Sequence, residues 1–600
     1  MYHQNYNPTG NVLLSTVLAA VPILVLLYFI ALHPRRDKSG TRHLGIAAPY
    51  AALFGVVAAF LISSLVFRMP IVAAVSAFVF GTLSGFIGII WIVLGAMFLY
   101  TITVVTGKFE IVKESITHIS FDRRLQVLMI AFSFGSVIEG TSGFGTPVAI
   151  AGAVMVGLGF SPFQAAVLNL LANTAPVAWG AIGTPIVTLA SVSGLDQLTL
   201  SAMAGNQLPF ISLLVPFWLV ATFVRMEGGS WRQVFEVWPC ALVSGASFAL
   251  MQHFASKTSA LHLITDVVSG VVSLVCTTLF LRFWWQPKTR FRLRSERAPD
   301  NELVNVPAAA PVDTPYRYTV AQTAYAWLPW AILIACCALW GMPAWKKTLN
   351  GLFSGVVLKG TLFGSPFSGP LSLPTWEMPG LHNLVQRMPP AVAPGTKPEA
   401  ARLVINWLSA AGTGVFLAAL LTGLVLRLRP RDWRQAIART AGRMKTPVLV
   451  IAQVLGLGFL TRYSGTDAVL GLAFTGAGVL YPFFSSYVGW LGVFLTGSDT
   501  ASNALFGSLQ RITAQQLHLN PILIVATNST GGVMGKMIDA QSIMVASAAC
   551  YDDPHQRAHA LGPIFRTVWW HSVAGAAVIG LIALLQAYVF PGMIPAGPLH

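Results

Sequence analysis

Residues 138–150 read IEGTSGFGTPVAI: Glu139 is followed at once by three glycines, two threonines, a serine and a proline. The flanking sequence is apolar enough to lie in a membrane, so an acid and a helix-breaking run fall at bilayer depth. Backbone N–H and C=O groups cannot stay unpaired in lipid, and irregular backbone survives there only where protein or a water-filled cavity covers it. The stretch therefore calls for a bundle of membrane helices enclosing a polar interior.

Composition agrees. The chain has 600 residues, 55% hydrophobic and 10% charged, whereas soluble globular chains carry about 25% charged residues. Runs such as Asn11–His33 and Leu403–Leu426 have the length of a helix that crosses roughly 30 Å of hydrocarbon, and they lack the alternation of a membrane β-strand. The first run has no basic residue before it and is too long for a signal-peptide core, so it reads as a retained span. Five cysteines occur without a Cys-x-x-Cys pair, which indicates neither a disulfide framework nor a zinc site.

The net charge of +16 does not point to nucleic acid, because the basic residues cluster in short loops: Pro34–His43, Gln286–Arg297 and Arg427–Lys445. This is the positive-inside pattern. The terminal segments MYHQNYNPTGN and PGMIPAGPLH carry no Lys, Arg, Asp or Glu, so both termini are expected outside the cytoplasm, with an even number of crossings, roughly 12 to 14 by hydrophobic length. The predicted fold class is an all-α polytopic membrane protein with inverted repeats, re-entrant hairpins and discontinuous helices. Its expected divisions are a first transmembrane helix (1–33), transporter repeat 1 (44–230), connecting helices (231–343) with a Pro- and Ala-rich cytoplasmic linker (286–322), an extracytoplasmic insertion (344–402), transporter repeat 2 (403–567) and a last transmembrane helix (568–590). Nothing in the insertion's sequence assigns it a function.

The repeat rests on three landmarks. GTSGFGTP (Gly140–Pro147) has a loose counterpart in GSDTASNA (Gly497–Ala504), NTAPVAWG (Asn173–Gly180) in NSTGGVMG (Asn528–Gly535), and the span near Leu44 in the span near Leu403, at offsets of 357, 355 and 359 residues. Leu44 follows an inside loop and Leu403 an outside segment, so equivalent spans run in opposite directions, as in transporters built from inverted repeats. Each half then holds two polar, glycine-rich breaks in succession. Half-helices that start at such breaks aim N–H groups and partial positive charge into the interior, a site for a small anion. Glycines alone need mean no more than tight helix packing, the reading for Gly471–Gly478.

Ionisable residues in apolar surroundings sharpen the picture, since an unpaired charge there costs several kcal/mol. Glu139, Asp499, Lys536 and Asp539 qualify, as do Arg462 and Asp467. A buried carboxyl can carry a proton; the bland alternative is internal pairing, Lys536 with Asp539 and Arg462 with Asp467. DDPHQRAH (Asp552–His559) has metal-ligand spacing but reads as a solvated loop. No HExxH, Walker, Rossmann or GxSxG motif appears, so an enzyme has little to stand on.

The run EGTSGFGTPVAIAGAVMVGLGFSPFQAAVLNLLANTAPVAWGAIGTPI, with GWLGVFLTGSDTASNALFGSLQ, ATNSTGGVMGKMI and a terminal LLQAYV, resembles the bacterial lactate permease family, which includes glycolate permeases, from first span to last. The resemblance implies secondary active, proton-coupled uptake of L-lactate, D-lactate and glycolate across the bacterial inner membrane, without a cofactor. It also implies a fold like that of anion transporters with paired hairpins and Asn-Thr motifs. Glu139, Asn173, Asp499 and Lys536 match the family pattern. The chain departs from it at MIDAQS, where the family reads Met-Ile-Ser-Pro-Gln-Ser, so Asp539 is extra, and at the more charged RYSGTD. Expected partners are a small carboxylate and the lipid bilayer; oligomeric state is open. On this basis the substrate carboxylate is expected at half-helix N-termini near Thr174 and Ser529 with Lys536 supplying charge. Asn173 and Asn528 address the 2-hydroxyl, and Gly140, Ser142, Gly143, Thr500, Asn503 and Gln541 complete the site. Glu139, Asp499 and Asp539 are the candidate proton carriers. Two alternatives stay open: a sodium-coupled carrier of another small carboxylate, since Asn, Thr and Ser oxygens also coordinate sodium, and an integral membrane enzyme.

Overall fold

A computed structural model of the chain describes residues 1–29, 33–36, 42–44, 46, 48–143, 145–296, 306–307, 317–392, 395–551 and 553–597. Residues 297–305 and 308–316 of the 286–322 linker lie outside these residues, as does Asp552 of the His-containing loop. The fold is all-α and polytopic. Among the described residues, eight helices are long and apolar enough to cross a membrane: Pro49–Val66, Ile71–Val105, Leu208–Met226, Thr265–Phe283, Val320–Trp340, Pro430–Ser464, Thr466–Phe494 and His559–Tyr588. A ninth is the pair Pro162–Ala172 and Val177–Ser193, bent by 69° at its break. The roughly 12 to 14 crossings expected from hydropathy also drew on shorter apolar helices, Val12–Leu26, Thr146–Gly157 and Ala411–Val425, and on the more polar Trp238–Ser256.

The two ends of the bundle differ in chemistry. Residues Tyr2–His3 pair in parallel with Val385–Gln386 of the insertion, and Gln516 Nε2 donates to the Pro390 carbonyl at 2.5 Å. The turn at 518–520 lies beside residues 588–595 near the other terminus. Both termini and the insertion thus share one face. The basic start of Pro430–Ser464 lies on the opposite face, because the far end of that helix, about 50 Å away at 1.5 Å per residue, accepts from Tyr2 through the Ser464 carbonyl at 3.0 Å. Residues 287–296 join that basic face: Arg124, fully buried, pairs with Asp122 at 2.7 Å and Glu236 at 2.9 Å, and its Nη2 donates to the Thr289 carbonyl at 3.1 Å.

The insertion is folded and docked on the bundle. Four antiparallel strands run in the order Arg402–Val404, Thr375–Glu377, Ser365–Pro370, Val357–Leu362. The segment between strands Thr375–Glu377 and Arg402–Val404 clamps the bundle through Glu399, which holds Arg387 at 2.7 Å and Arg462 at 3.2 Å. Burial would push the Glu399 carboxyl up, but Arg462 and Arg387 more than offset it and hold it below the ordinary glutamate value. The expected Arg462–Asp467 pair is therefore replaced: Arg462 turns to the insertion, and Asp467 accepts from Ser508 at 2.6 Å with Arg387 at 3.7 Å.

Close packing by glycine is strongest where helices Tyr481–Thr496 and Pro521–Gly535 cross. A Cβ on Gly489 would come within 1.8 Å of the Asn528 carbonyl oxygen, and one on Gly531 within 2.3 Å of that of Ser486. The run from Gly471 to Gly478, expected to pack this way, does so only at Gly471; Gly476 and Gly478 face open space. We expect Gly489→Ala to cost ~1–3 kcal/mol through overpacking, read as a lower unfolding temperature in detergent. Gly442→Ala, on an exposed helical turn with nothing near it, is expected to be neutral or stabilising.

Candidate functional site

Four helix breaks converge on one polar centre. In the first half, Gly135–Ser142 ends at Gly143 and Thr146–Gly157 begins after Gly145, both glycines at positive φ. Pro162–Ala172 ends at Asn173. The helix after it carries three consecutive left-handed residues, Ala181 (φ 44°), Ile182 (φ 57°) and Gly183 (φ 69°), so its regular part starts at Thr184. A β-branched residue at φ 57° is strained, and such strain persists only where the surroundings enforce it. In the second half, Tyr481–Thr496 stops at Gly497 and Asp499–Gln516 starts two residues on, while Pro521–Gly535 and Ala540–Cys550 are separated by 536–539.

Glu139, Gly143, Gly180, Thr184, Gly497, Asp499, Thr500 and Lys536 line a cavity of about 30 Å³ between these breaks. Its charges answer the helix ends. Lys536 follows directly on one helix, and its Nζ donates to the Gly497 carbonyl at the C-terminus of another at 2.6 Å. Asp499 and Asp539 sit at helix starts, where negative charge is favoured. Asp539 accepts the Ser542 N–H at 2.7 Å, and its other oxygen lies 3.5 Å from Lys536. The Lys536–Asp539 pair expected as the bland alternative is thus present. Asp499 Oδ2 accepts from Ser529 at 2.5 Å and Asn503 at 3.4 Å, while Oδ1 is unpartnered. Among the described residues Glu139 Oε2 and both polar side-chain atoms of buried Asn173, which lies beside Glu139, likewise have no hydrogen-bond partner. A Cβ at Gly180 would reach within 2.5 Å of Glu139 Oε1, and one at Gly532 within 2.5 Å of Asp499 Oδ1. Both glycines therefore make room for an acid.

Other residues named from sequence fall elsewhere. Gly140 packs against Asp266 and Val267 of the Thr265–Phe283 helix. The Thr174 hydroxyl donates back to the Leu171 carbonyl at 2.8 Å, and Thr174 follows a helix end instead of starting one; Ser529 lies inside a helix. The helix starts at the cavity are those at Thr184 and Asp499, whose neighbour Thr500 sits 3.4 Å from the Thr184 hydroxyl. Asn528 is consumed internally, donating to Asn503 at 2.9 Å and accepting from Gln510 at 3.1 Å. Asn503 in turn donates to the Pro185 carbonyl at 3.1 Å. The side chains of Ser142 and Gln541 lie outside the described residues. Asp266 was missed: it is fully buried and lies close to Glu139 and to the Trp179 backbone. A lone acid heading the apolar run 267–281 was the available signal.

The family model for L-lactate permease matches residues 15–590. The chain belongs to the L-lactate permease family. It is 43% identical over 594 residues to the glycolate permease GlcA of Escherichia coli K12, covering 98% of this chain and 99% of that one. It is 41% identical over 597 residues to the L-lactate permease of Salmonella typhimurium (99% and 100%) and 40% over 597 residues to that of Bacillus subtilis (99% and 99%). As a member of this family the chain is a multi-pass membrane transporter, not an enzyme. A permease cavity of about 30 Å³ holds a water or two, so in this conformation the site is too narrow for a small carboxylate.

The two asparagines separate function from stability. We expect Asn528→Ala, which strands Gln510 and Asn503, to cost ~1–3 kcal/mol and lower the unfolding temperature. Asn173→Ala, which removes an unpartnered amide, is expected to leave unfolding unchanged and impair transport, both measured on reconstituted protein.

Proposed function

We propose that this transporter carries L-lactate and related 2-hydroxymonocarboxylates, D-lactate and glycolate, into the cell across the bacterial inner membrane together with protons. The insertion and both termini are outside, and the two polar halves form inverted repeats. The shared order of helix, break, helix, turn, helix, break, helix in 135–193 and 481–550 supports the repeats, as do the basic loops gathered on one face. The names of the relatives support the substrate class.

One observation carries the proton coupling: three buried carboxyls, Glu139, Asp499 and Asp539, lie about one lysine, Lys536, with a fourth, Asp266, next to Glu139. A bound carboxylate adds another negative charge, and uncompensated charge in such a place costs several kcal/mol. Protonation of Asp499 or Glu139 removes that cost, which ties substrate entry to proton entry. Lys536 then faces the substrate carboxylate, the free amide of Asn173 addresses the 2-hydroxyl, and Ser529 fixes the Asp499 carboxyl. Alternating access moves part of each repeat about this midplane site.

In reconstituted vesicles, lactate is expected to accumulate when the outside is acid and to leak back when a protonophore is added. Accumulation driven by sodium and indifferent to the pH gradient would overturn the proposal. Asp499→Asn and Glu139→Gln are expected to keep lactate exchange while at least one loses uphill uptake by about tenfold or more, equivalent to ~1.4 kcal/mol; unimpaired uphill uptake in both removes them from the proton path.

A further inference from the structure

A second, much larger cavity lies on the face that carries the insertion. It has about 650 Å³, within the size range of small-molecule sites, and is lined by Arg387, Lys397 and Glu399 of the insertion, Arg462, and Ser508, Arg511 and Gln515 of the Asp499–Gln516 helix. Four cations thus face Glu399 here, with Asp467 beside Arg387 as the second carboxylate. Two of the cations are engaged, Arg387 and Arg462 both holding Glu399. Arg511 is not: among the described residues it has no carboxylate within ion-pairing distance. Its Nη1 donates to the Ser193 carbonyl, and its remaining N–H groups have no partner among the described residues. A half-buried guanidinium with a free edge is the side chain best matched to a carboxylate, which it grips through two parallel hydrogen bonds.

Two helices join this cavity to the central site. Asp499–Gln516 begins at Asp499 and carries Arg511 about 18 Å further along. The other begins its regular part at Thr184 and ends at Val192 and Ser193, whose carbonyls accept from Arg462 at 3.2 Å and from Arg511 respectively. Between the two sites the helices touch: a Cβ on Gly507 would lie 2.7 Å from Val192 and 3.0 Å from Leu189. This apolar contact forms a seal along the helix pair between the wide, cationic outer cavity and the small, carboxyl-rich inner one.

We propose that the outer cavity is an entry station for the transported carboxylate, with Arg511 the group that receives it before the seal opens. This rests on the substrate class proposed above. The surplus positive charge raises the local anion concentration, and the route along the two helices leads from Arg511 to Thr500 and Lys536.

The kinetic test compares wild type, Arg511→Gln and Arg511→Lys for lactate uptake in vesicles. Loss of a charged hydrogen-bond partner is expected to raise KM by about tenfold in Arg511→Gln. Vmax should stay within about twofold, the ionic-strength dependence of KM should weaken, and Arg511→Lys should recover part of the loss. An unchanged KM, or a fall in Vmax that Lys does not restore, overturns the proposal. A second measurement needs no transport: Gln515→Cys in purified protein is treated with anionic and cationic thiosulfonates, with and without lactate, glycolate or acetate. Faster labelling by the anionic reagent, slowed by the carboxylates only while Arg511 is present, supports the station. Absence of protection, or protection that survives Arg511→Gln, overturns it. Failure of wild type to accumulate lactate would instead count against the proposed function, and the labelling experiment still reads the cavity by itself.

Discussion

The Lys536 ammonium, 2.6 Å from the Gly497 carbonyl, meets the constraint on which the rest of the structure depends. Breaking a helix inside a membrane frees backbone groups that lipid cannot satisfy. In the second half the freed ends meet side chains of complementary charge: Lys536 at the Gly497 carbonyl, Asp539 at the Ser542 amide, and Asp499 in the first turn of its helix. The polar groups are thereby held in register, and the surrounding glycines, Gly180 and Gly532 against the acids and Gly489 and Gly531 at the helix crossing, let the walls come close enough to exclude lipid.

Much of this was legible in the sequence because membranes make polar residues conspicuous. IEGTSGFGTP, NTAPVAWGAIGTP, LTGSDTASN and the segment after Thr527 each fall at a helix break in the structure, and Glu139, Asp499 and Lys536 line one cavity. The positions of helix starts were less legible. Thr174 was placed at a start and lies just past an end, because the reversal at Ala181–Gly183 comes several residues after the polar motif that advertises it. Asn528 shares the chemistry of Asn173, yet its amide is spent on Asn503 and Gln510; which amide stays free is decided by helix packing across distant segments.

Charges away from the four helix breaks were read least well. Asp266 was passed over as part of an ordinary span, although it stands alone at the head of an apolar run. The insertion offered composition but no partner for its ions, and sequence proximity favoured pairing Arg462 with Asp467. Glu399 takes Arg462 instead, from 63 residues away, because the insertion folds back over the bundle. Ion pairs follow three-dimensional docking, which spacing along a chain does not record.

The contact of Leu189 and Val192 with Gly507 has a bearing on leakage. A chain of hydrogen-bonded water cannot thread hydrocarbon groups in van der Waals contact, so the seam between these two helices gives protons no passage along it, and close packing there serves insulation as well as stability.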